Sequence, residues 1–367
     1  MLRFDQDAPL NQADFKLFQV TQDVLDQLID TTTHKKNHPA IKGLKADQAV
    51  LTTTDQSFTL RLAASSNSHL LIPQPPHDTT ENLPHELGIV ACLDEHFELV
   101  QTAPNLGRIL QLVSAQPYSA QEAASASFNQ NSRPTFEHLE LAGQCSRQEL
   151  RVALQRHRAL EVSGRWCRLE PQLELDACVS LLHLVVEKGL HLDSVPVGEC
   201  VRELTGQYPE IVVRHCLRCL STSATASPDE WESSLNSYEI ELNPRALSRL
   251  CAQKMFDETS TWPILEFMEA WQDNLPSGIE TNRSDLDGLA IETDEDRLRA
   301  LDVSTLPHDP ASRFAVLFNV KSRWAMEELR PYMVELLPPG KTVEHLVLRH
   351  ARSVLDKDGS RYCVARC

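Results

Sequence analysis

Apolar residues recur at helical spacing near the end of the chain, from residue 312 onward. Phe314, Leu317 and Phe318 stand at positions i, i+3 and i+4, which predicts a helix with one apolar face. The same spacing predicts a second helix that ends before Pro338-Pro339-Gly340, with the apolar positions Leu329, Met333, Leu336 and Leu337. A third helix is predicted after Thr342, a favourable N-cap residue, with Val343, Leu346, Val347 and His350 along one side.

Two extended runs follow the third helix. Residues 353–355 and 361–364 are rich in strand-forming side chains, and Asp358-Gly359 lies between them. An Asp-Gly pair between two such runs is a strong hairpin signal. Three short helices followed by a hairpin have the order of elements of a winged helix, so we predict that fold for the C-terminal region.

Positive charge is concentrated in this region. From Lys341 to the C-terminus there are six Lys or Arg and three acidic residues, a balance of +3 in a chain of −17, so the preceding residues sum to −20. A winged helix can place its third helix in a major groove and its hairpin against phosphates. We therefore predict DNA contacts at Lys341, Arg349, Arg352, Lys357, Arg361 and Arg366. A solvated basic face on a protein–protein module is the alternative.

The N-terminal region favours strands instead. Residues 49–54 and 58–62 alternate with a period of two around Asp55-Gln56, and residues 89–93 and 97–100 are predicted to pair across Asp94-Glu95. A helix is predicted over residues 106–113. The pattern predicts a half-barrel or small sheet with open edges, which favour the addition of a partner strand.

The combination of helices followed by a hairpin occurs three times after the N-terminal region. Residues 119–134 are rich in Ser, Ala, Asn and Gln and are predicted to be a linker. The predicted fold class is α+β, a β-rich half-barrel followed by tandem winged-helix domains. The predicted limits are 1–118 for the β-rich domain, 119–134 for the linker, and 135–190, 191–306 and 307–367 for the three winged helices.

Composition restricts the class of protein. The chain is 41% hydrophobic and 24% charged, as ordinary globular proteins are, and its ten cysteines show no disulfide spacing. We expect an intracellular protein with reduced thiols and without a membrane span, since no apolar run approaches the required length. The net charge of −17 argues against indiscriminate coating of nucleic acid and favours partners with basic surfaces.

Three short motifs resemble sites for a phosphate, zinc or calcium, but the residues around each of them do not support such a site. Residues 339–342 resemble the end of a phosphate-binding loop, but Glu335 occupies the place of its first glycine. His215 stands beside Cys216 and Cys219, yet a second ligand pair for zinc is missing, so buried thiols are the favoured interpretation. Residues 285–288 are interpreted as a turn and not a calcium loop. We therefore expect neither catalysis nor a cofactor.

Several short stretches together resemble one known family. They are spread from about residue 14 to 353 in the family's order: 41–43, 49–52, 58–61, 66–67, 70–71, 163–166, 215–217, 324–329, 331–332 and 351–353. They are similar to the Dcc family of sister chromatid cohesion proteins, accessory subunits of the alternative, cohesion-specific clamp loader. Ala325 departs from the pattern, since a helix-capping Thr or Ser is expected there.

The resemblance implies a nuclear, non-catalytic subunit. Its half-barrel would be completed by a very small loader subunit and by the C-terminal tail of the large clamp-loader ATPase. The first winged helix would bind the catalytic subunit of the leading-strand polymerase, and the later ones would bind DNA. The loader acts on the sliding clamp, so contact with the clamp would be indirect.

These implications lead to two further sets of candidate residues. The strands over 49–54 and 58–62 would bind the loader partners, through Val50, Leu51, Phe58, Leu60 and Leu62. Charge on the first winged helix points to a surface facing the polymerase, with Arg147, Arg151, Arg158 and Arg165. A winged-helix transcription factor is the alternative function, although Val343, Glu344, His345 and Leu348 are poor readers of bases. An unrecognised enzyme is a third possibility, without a motif to support it.

Overall fold

The computed structural model describes residues 2–4, 15–29, 39–45, 47–72, 87–125, 132–225, 238–293, 295–337, 340–355 and 361–366. Two units make up the chain. The first comprises Met1–Pro104 and Gln144–Arg147, and the second comprises Asn105–Gly143 and Gln148–Cys367. Each unit is described by itself below.

The first unit is built on strands and one short helix, α1 (Gln22–Ile29). Its strands are β1 (Leu2–Phe4), β2 (Phe18–Gln19), β3 (Ala40–Lys42), β4 (Val50–Thr52), β5 (Ser57–Leu71), β6 (Leu87–Ile89) and β7 (Ala91–Gln101). Five of them form one sheet in the order β2-β7-β5-β4-β3, while β1 pairs separately with β6. The five-stranded sheet curls into a half-barrel, which confirms that part of the predicted fold class.

Of the two hairpins predicted in this region, one is confirmed. β4 pairs with β5 in the expected antiparallel register, with Leu51 opposite Phe58. The predicted pairing of residues 89–93 with 97–100 is wrong, because β7 runs straight through Asp94-Glu95 and pairs with β5. Both acidic residues are exposed. Neither is a Gly or Asn suited to the left-handed backbone of a tight hairpin turn, so the extended conformation continues.

The second unit alternates helices with short hairpins. Its helices are α2 (Gly107–Ser114), α3 (Ala120–Ser125), α4 (Phe136–Ala142), α5 (Arg147–Arg156), α6 (Pro171–Lys188), α7 (Val197–Leu204), α8 (Glu210–Leu220), α9 (Pro244–Glu258), α10 (Ile264–Asp273), α11 (Pro310–Val320), α12 (Met326–Met333) and α13 (Val343–His350). Its strands are β8 (Ala159–Val162), β9 (Arg165–Arg168), β10 (Val195–Pro196), β11 (Glu239–Ile240), β12 (Thr261–Pro263), β13 (Ala290–Thr293), β14 (Arg297–Ala300), β15 (Arg323–Ala325), β16 (Ala351–Leu355) and β17 (Arg361–Ala365).

The hairpins lie where the alternation of apolar residues predicts them. β8 pairs with β9, β13 with β14, and β16 with β17, all antiparallel. The second and third of these hairpins each gain a strand that precedes a helix, which produces three-stranded sheets of order β12-β14-β13 and β15-β17-β16. The order of helices and strands in the second unit is therefore close to the sequence-based expectation.

Part of the segment predicted to be a linker is folded. α3 lies inside residues 119–134, and Arg133 is only 4% exposed. The guanidinium of Arg133 pairs with the carboxylate of Glu122 at 2.7 Å and donates to the carbonyls of Gln116 and Pro117. The described residues of this segment thus do not form a solvated spacer.

Two large apolar cores lie within the described residues of the second unit. One runs from the β8–β9 hairpin through α6, α8 and α9 to β14, and the other fills the C-terminal module around Phe314, Trp324 and Tyr332. β13 contributes Ile291 to the C-terminal core, and the hydroxyl of Tyr332 donates to the carbonyl of Ala290 at 3.1 Å. Packing therefore crosses the boundary predicted at residue 306, and the predicted domain limits stay predictions. Among the described helices, none has the length and apolar character to span a membrane.

Candidate partner and nucleic-acid interfaces

One face of the five-stranded sheet is apolar across all its strands. Residues that stand opposite each other on paired strands point to the same face. The register therefore places these side chains together: Phe18, Ile41, Leu51, Phe58, Leu60, Leu62, Phe97 and Leu99. We call this set the apolar sheet face. The stacked rings of Phe18 and Phe97, with centroids 5.3 Å apart, confirm the arrangement at its outer end.

The apolar sheet face is only partly covered by other described residues of its unit. Val24 of α1 packs on Leu51 and Phe58, and these three form a small buried cluster. Leu62 remains 53% exposed and Ile41 57% exposed. A half-barrel sheet needs a second layer to bury such a face, and the described part of this unit supplies only α1.

Four of the five predicted partner-binding residues lie on this face. Leu51, Phe58, Leu60 and Leu62 share it, whereas Val50 points to the opposite side and is buried. Ile41 was not predicted to belong to the set, and it joins through the pairing of β3 with β4, which the sequence alone does not reveal.

The opposite side of the sheet is covered by residues of the same unit. The segment Gln144–Arg147 lies against it, and the ammonium of Lys42 donates to the carbonyl of Cys145 at 2.9 Å. The amide of Gln144 donates to the carbonyl of Gln48 at 2.7 Å, and the backbone N–H of Ser146 donates to Ser57 Oγ at 3.2 Å. The two faces of the sheet therefore differ. Hydrogen bonds to the segment Gln144–Arg147 cover the opposite face, whereas the apolar sheet face remains partly exposed.

The C-terminal module holds the predicted DNA-binding residues on a closed core. Trp324 is fully buried, donates to the carbonyls of Leu317 and Lys321, and packs edge-on against Tyr332. Arg313 is also fully buried, where it pairs with Glu335 and donates to the carbonyl of Tyr332 at 2.8 Å. Glu335 thus has a structural partner at the place where a phosphate-binding loop requires a glycine.

The predicted DNA-binding residues surround α13 and the hairpin. Lys341, Arg349, Arg352, Arg361 and Arg366 are all exposed, and Lys357 lies outside the described residues. Arg366 has a local role, because its guanidinium donates to the carbonyls of Leu348 and Arg349 at 2.8 and 3.0 Å. It therefore caps the C-terminal end of α13, where a cation stabilises the helix. The remaining cations extend over the helix and both strands.

Arg361 shares its surroundings with acidic side chains. It lines a groove of about 610 Å³ between α12, α13 and the hairpin, together with Arg330 and Glu344. A hydrogen bond from Thr342 and, to a smaller degree, the charges of Arg330 and Arg361 lower the pKa of Glu344. Glu344 is therefore ionised and offsets part of the positive charge at this end of the module.

The arginines predicted to face the polymerase differ in their burial and in the contacts they make within the fold. Arg158, in the left-handed backbone region at φ 53°, forms an ion pair with Glu174 at 2.9 Å. Arg165 donates to the carbonyl of Arg133 at 3.0 Å. Arg147 and Arg151 are half-buried along α5. Arg158 and Arg165 therefore help to stabilise the fold locally, and the role of all four arginines toward a partner stays a prediction.

One buried cluster has the side chains of a metal site. The ligand atoms of Glu174, His215 and Cys219 lie within 4.8 Å of one another. However, the guanidinium of Arg158 pairs with Glu174, and the guanidinium of Arg218 lies 3.0 Å from His215 Nδ1. Burial is the main cause that lowers the pKa of His215 and raises that of Cys219, to about 12 for the thiol. Because two guanidinium groups already contact Glu174 and His215, the cluster does not fit a metal ion, and we interpret it as part of the core.

Sequence reasoning missed one side of the C-terminal module. Arg323 and Tyr362 come together on the outer face of the sheet, with the guanidinium carbon 4.2 Å from the ring centroid. The two residues are far apart in the sequence, and the pairing of β15 with β17 joins them. The alternation within each strand could have shown that Arg323 and Tyr362 point outward, but it does not give the register between the strands.

These features define an α+β protein with a half-open curled sheet and a basic module of helices and a hairpin at its end. The family model of the sister chromatid cohesion protein Dcc1 matches residues 15–333. The chain therefore belongs to the Dcc1 family.

Similar proteins come from distant organisms. The sister chromatid cohesion protein DCC1 of Homo sapiens is 28% identical over 350 residues, covering 93% of this chain and 86% of the human protein. The probable sister chromatid cohesion protein DCC1 of Dictyostelium discoideum is 26% identical and covers 100% of this chain and 97% of its own length. The Saccharomyces cerevisiae protein of the same name is 24% identical, covering 94% of this chain and 95% of the yeast protein.

Proposed function

We propose that this protein acts in sister chromatid cohesion as a non-catalytic accessory subunit of an alternative clamp loader in the nucleus. In this role it would link the loader to the leading-strand polymerase and to DNA while the sliding clamp is loaded or unloaded. Membership of the Dcc1 family supports the role in cohesion. The links to the loader, the polymerase and DNA rest on the surfaces described above.

The observation that carries the proposal is the apolar sheet face. Ile41 and Leu62 expose more than half of their surface, and the edge strands β2 and β3 are two and three residues long. Partner strands from a very small loader subunit and from the C-terminal tail of the large ATPase would close the half-barrel and bury these side chains. Closure of this kind gives an obligate, hydrophobic interface.

The DNA contact is assigned to the C-terminal module, which we interpret as a winged helix. Its exposed cations are Lys341 just before α13, Arg349 on α13, and Arg352 and Arg361 in the hairpin. The outward positions of α13 are Glu344, His345, Leu348 and Arg349, a set with few base-reading side chains. Contacts to phosphates without sequence preference therefore fit better than those of a sequence-specific transcription factor.

The polymerase contact is assigned to the first helix-and-hairpin module. Its candidate residues are Arg147 and Arg151 of α5 together with Arg158 and Arg165, which also make contacts within the fold. We interpret the three modules with hairpins as tandem winged helices, and the order of their elements supports that interpretation.

The test of the proposal is assembly of the full-length chain with the small loader subunit and the ATPase tail. Wild-type protein should form a stable complex of all three, and Leu62→Arg should weaken it about tenfold or more, because a charge replaces a central apolar contact. Leu265→Arg is the matched control, since Leu265 is 78% exposed in the other unit. A wild-type chain that forms no complex, or a Leu62→Arg variant that assembles normally, would contradict the proposal.

A further inference from the structure

A polar contact joins the first helix-and-hairpin module to the C-terminal module. His157 directly follows α5, and its ring lies nearly perpendicular to the ring of His308, with 5.4 Å between the centroids. His308 lies just before α11, and its Nδ1 is 3.8 Å from the carboxylate of Glu335. These three residues bring together two modules that are distant in the sequence, and we call them the histidine joint.

The two modules contribute to different apolar cores. Leu160 and Leu169 of the first module belong to the larger core, whereas Phe314 and Met333 belong to the core of the C-terminal module. The histidine joint, in contrast, is built from titratable side chains. Because the elements around each core bury it separately, the joint can open while both modules stay folded.

The surroundings of the histidine joint are rich in positive charge. Three arginines act on the rings, one each from α5, β9 and α11: Arg156, Arg168 and Arg313. The carboxylate of Glu335 acts on both rings with the opposite sign, but it already pairs with the buried guanidinium of Arg313. A proton on either ring would therefore add a cation among three others, with a shared carboxylate as counter-charge.

Burial acts in the same direction as the arginines. It is the largest cause that lowers the pKa of both histidines, to about 4 for His157, and Glu335 opposes it. In an open joint the rings would return to the ordinary pKa in water of about 6.5. Since the pKa is lower in the closed joint, closure is favoured most above pH 6.5 and is lost as the pH falls toward 4.

We propose that the histidine joint is a proton-sensitive latch, which holds the first module against the C-terminal module while both rings are neutral and releases it when a ring takes up a proton. This inference goes beyond the proposed function and does not depend on it. Within the proposed function, the closed latch would fix the geometry between the module assigned to the polymerase and the module assigned to DNA.

The test measures the distance between the two modules in the full-length protein. Nitroxide labels are attached through unnatural residues at the exposed positions Gln172 of α6 and Leu348 of α13, so the native cysteines stay unmodified. Double electron–electron resonance gives the distance distribution at pH 7.5 and at pH 5.5. The ratio of open to closed molecules should rise about fivefold or more at the lower pH, as the lowered pKa of His157 requires.

Three variants separate release by a proton from other effects of acid. His157→Gln cannot take up the proton, so its distances should change with pH much less than those of wild type. His157→Arg carries a permanent cation, so it should show the open distance already at pH 7.5. His345→Gln is the matched control on the exposed side of α13 and should respond to pH like wild type.

Three outcomes would overturn the inference. If the distances are the same at both pH values in wild type, and the same again in His157→Arg, the joint does not release. If wild type and His157→Gln change equally with pH, another group causes the change. If near-ultraviolet circular dichroism is lost together with the closed distance, acid unfolds a module instead of opening the joint. Assembly with the loader partners is measured separately, so a failure of the latch leaves the proposed function in place.

Discussion

The first sheet and the C-terminal module bury their apolar residues to different extents. In the module, Trp324 and Leu329 are completely buried, and helices cover one face of the β15-β17-β16 sheet. Among the described residues of the first unit, Val24, Leu51 and Phe58 form a small buried cluster on the apolar sheet face, and Leu62 remains 53% exposed. The module carries its own second layer, and the sheet has only part of one. A closed region is stabilised from within, whereas an open one gains most of its stability from what binds to it.

The largest effect is expected from the core of the closed module. Trp324→Ala removes a buried ring and its two hydrogen bonds, so we expect a loss of about 3–5 kcal/mol in the free energy of unfolding. Leu62→Ala in the sheet should cost less than about 0.5 kcal/mol in the chain alone, because that side chain is half in water already. Urea unfolding followed by circular dichroism measures both values, and hydrogen exchange shows which unit has opened.

Similar losses for the two variants would remove the distinction between closed and open regions. In that case Leu62 would have a partner within the chain, and the apolar sheet face would not need another protein.

The sequence alone predicts those elements of the closed module that depend on local patterns. Phe314 and Leu317 lie in a helix with clear apolar periodicity, and the hairpin at the end of the chain has its Asp-Gly signal, so these elements were predicted close to their observed limits. Interactions that depend on register were not predictable. Asp94-Glu95 resembles a turn, yet it lies within β7, because β5 is a continuous partner on that side.

The candidate sites show the same limit. Exposure of Arg349, Arg352 and Arg361 could be predicted from their places on a polar face, and the structure agrees. Two other features could not be predicted: the position of Val50 on the face opposite the apolar sheet face, and the ion pair of Arg158 with Glu174. Both depend on residues that tertiary packing brings together.

A pH effect of intermediate size is expected in the second unit. His157 lies with its ring 5.4 Å from the ring of His308, and burial lowers the pKa of His157 to about 4, with Glu335 opposing the shift and His308 adding to it. Because the pKa is lower in the folded state than in the unfolded chain, at about 6.5, the full stability is present above pH 6.5 and is lost as the pH falls toward 4. This group should contribute a loss of about 1 kcal/mol between pH 7.5 and 5.5.

The measurement is urea unfolding at both pH values for wild type and for His157→Gln. The variant should lose about 1 kcal/mol less than wild type over this interval. Equal losses would mean that His157 titrates alike in both states. Hydrogen exchange should place the acid-sensitive opening in the second unit and not in the β5–β7 pair of the first.

The smallest effect is expected at the start of α12, where Ala325 is the N-cap and has no side-chain acceptor for the first turn. The carboxylate of Glu328 already accepts from the backbone N–H of Ala325 at 3.2 Å, which is half of a capping box. Ala325→Ser supplies the other half, because its hydroxyl can accept from the N–H of Glu328 in the extended backbone at φ −64° and ψ 147°. We expect a gain of about 1 kcal/mol in the stability of the closed module. Thermal unfolding measures it, and Glu328→Gln in the Ser variant should keep most of the gain. If Ala325→Ser left the unfolding temperature unchanged, the first turn of α12 would already be satisfied by solvent.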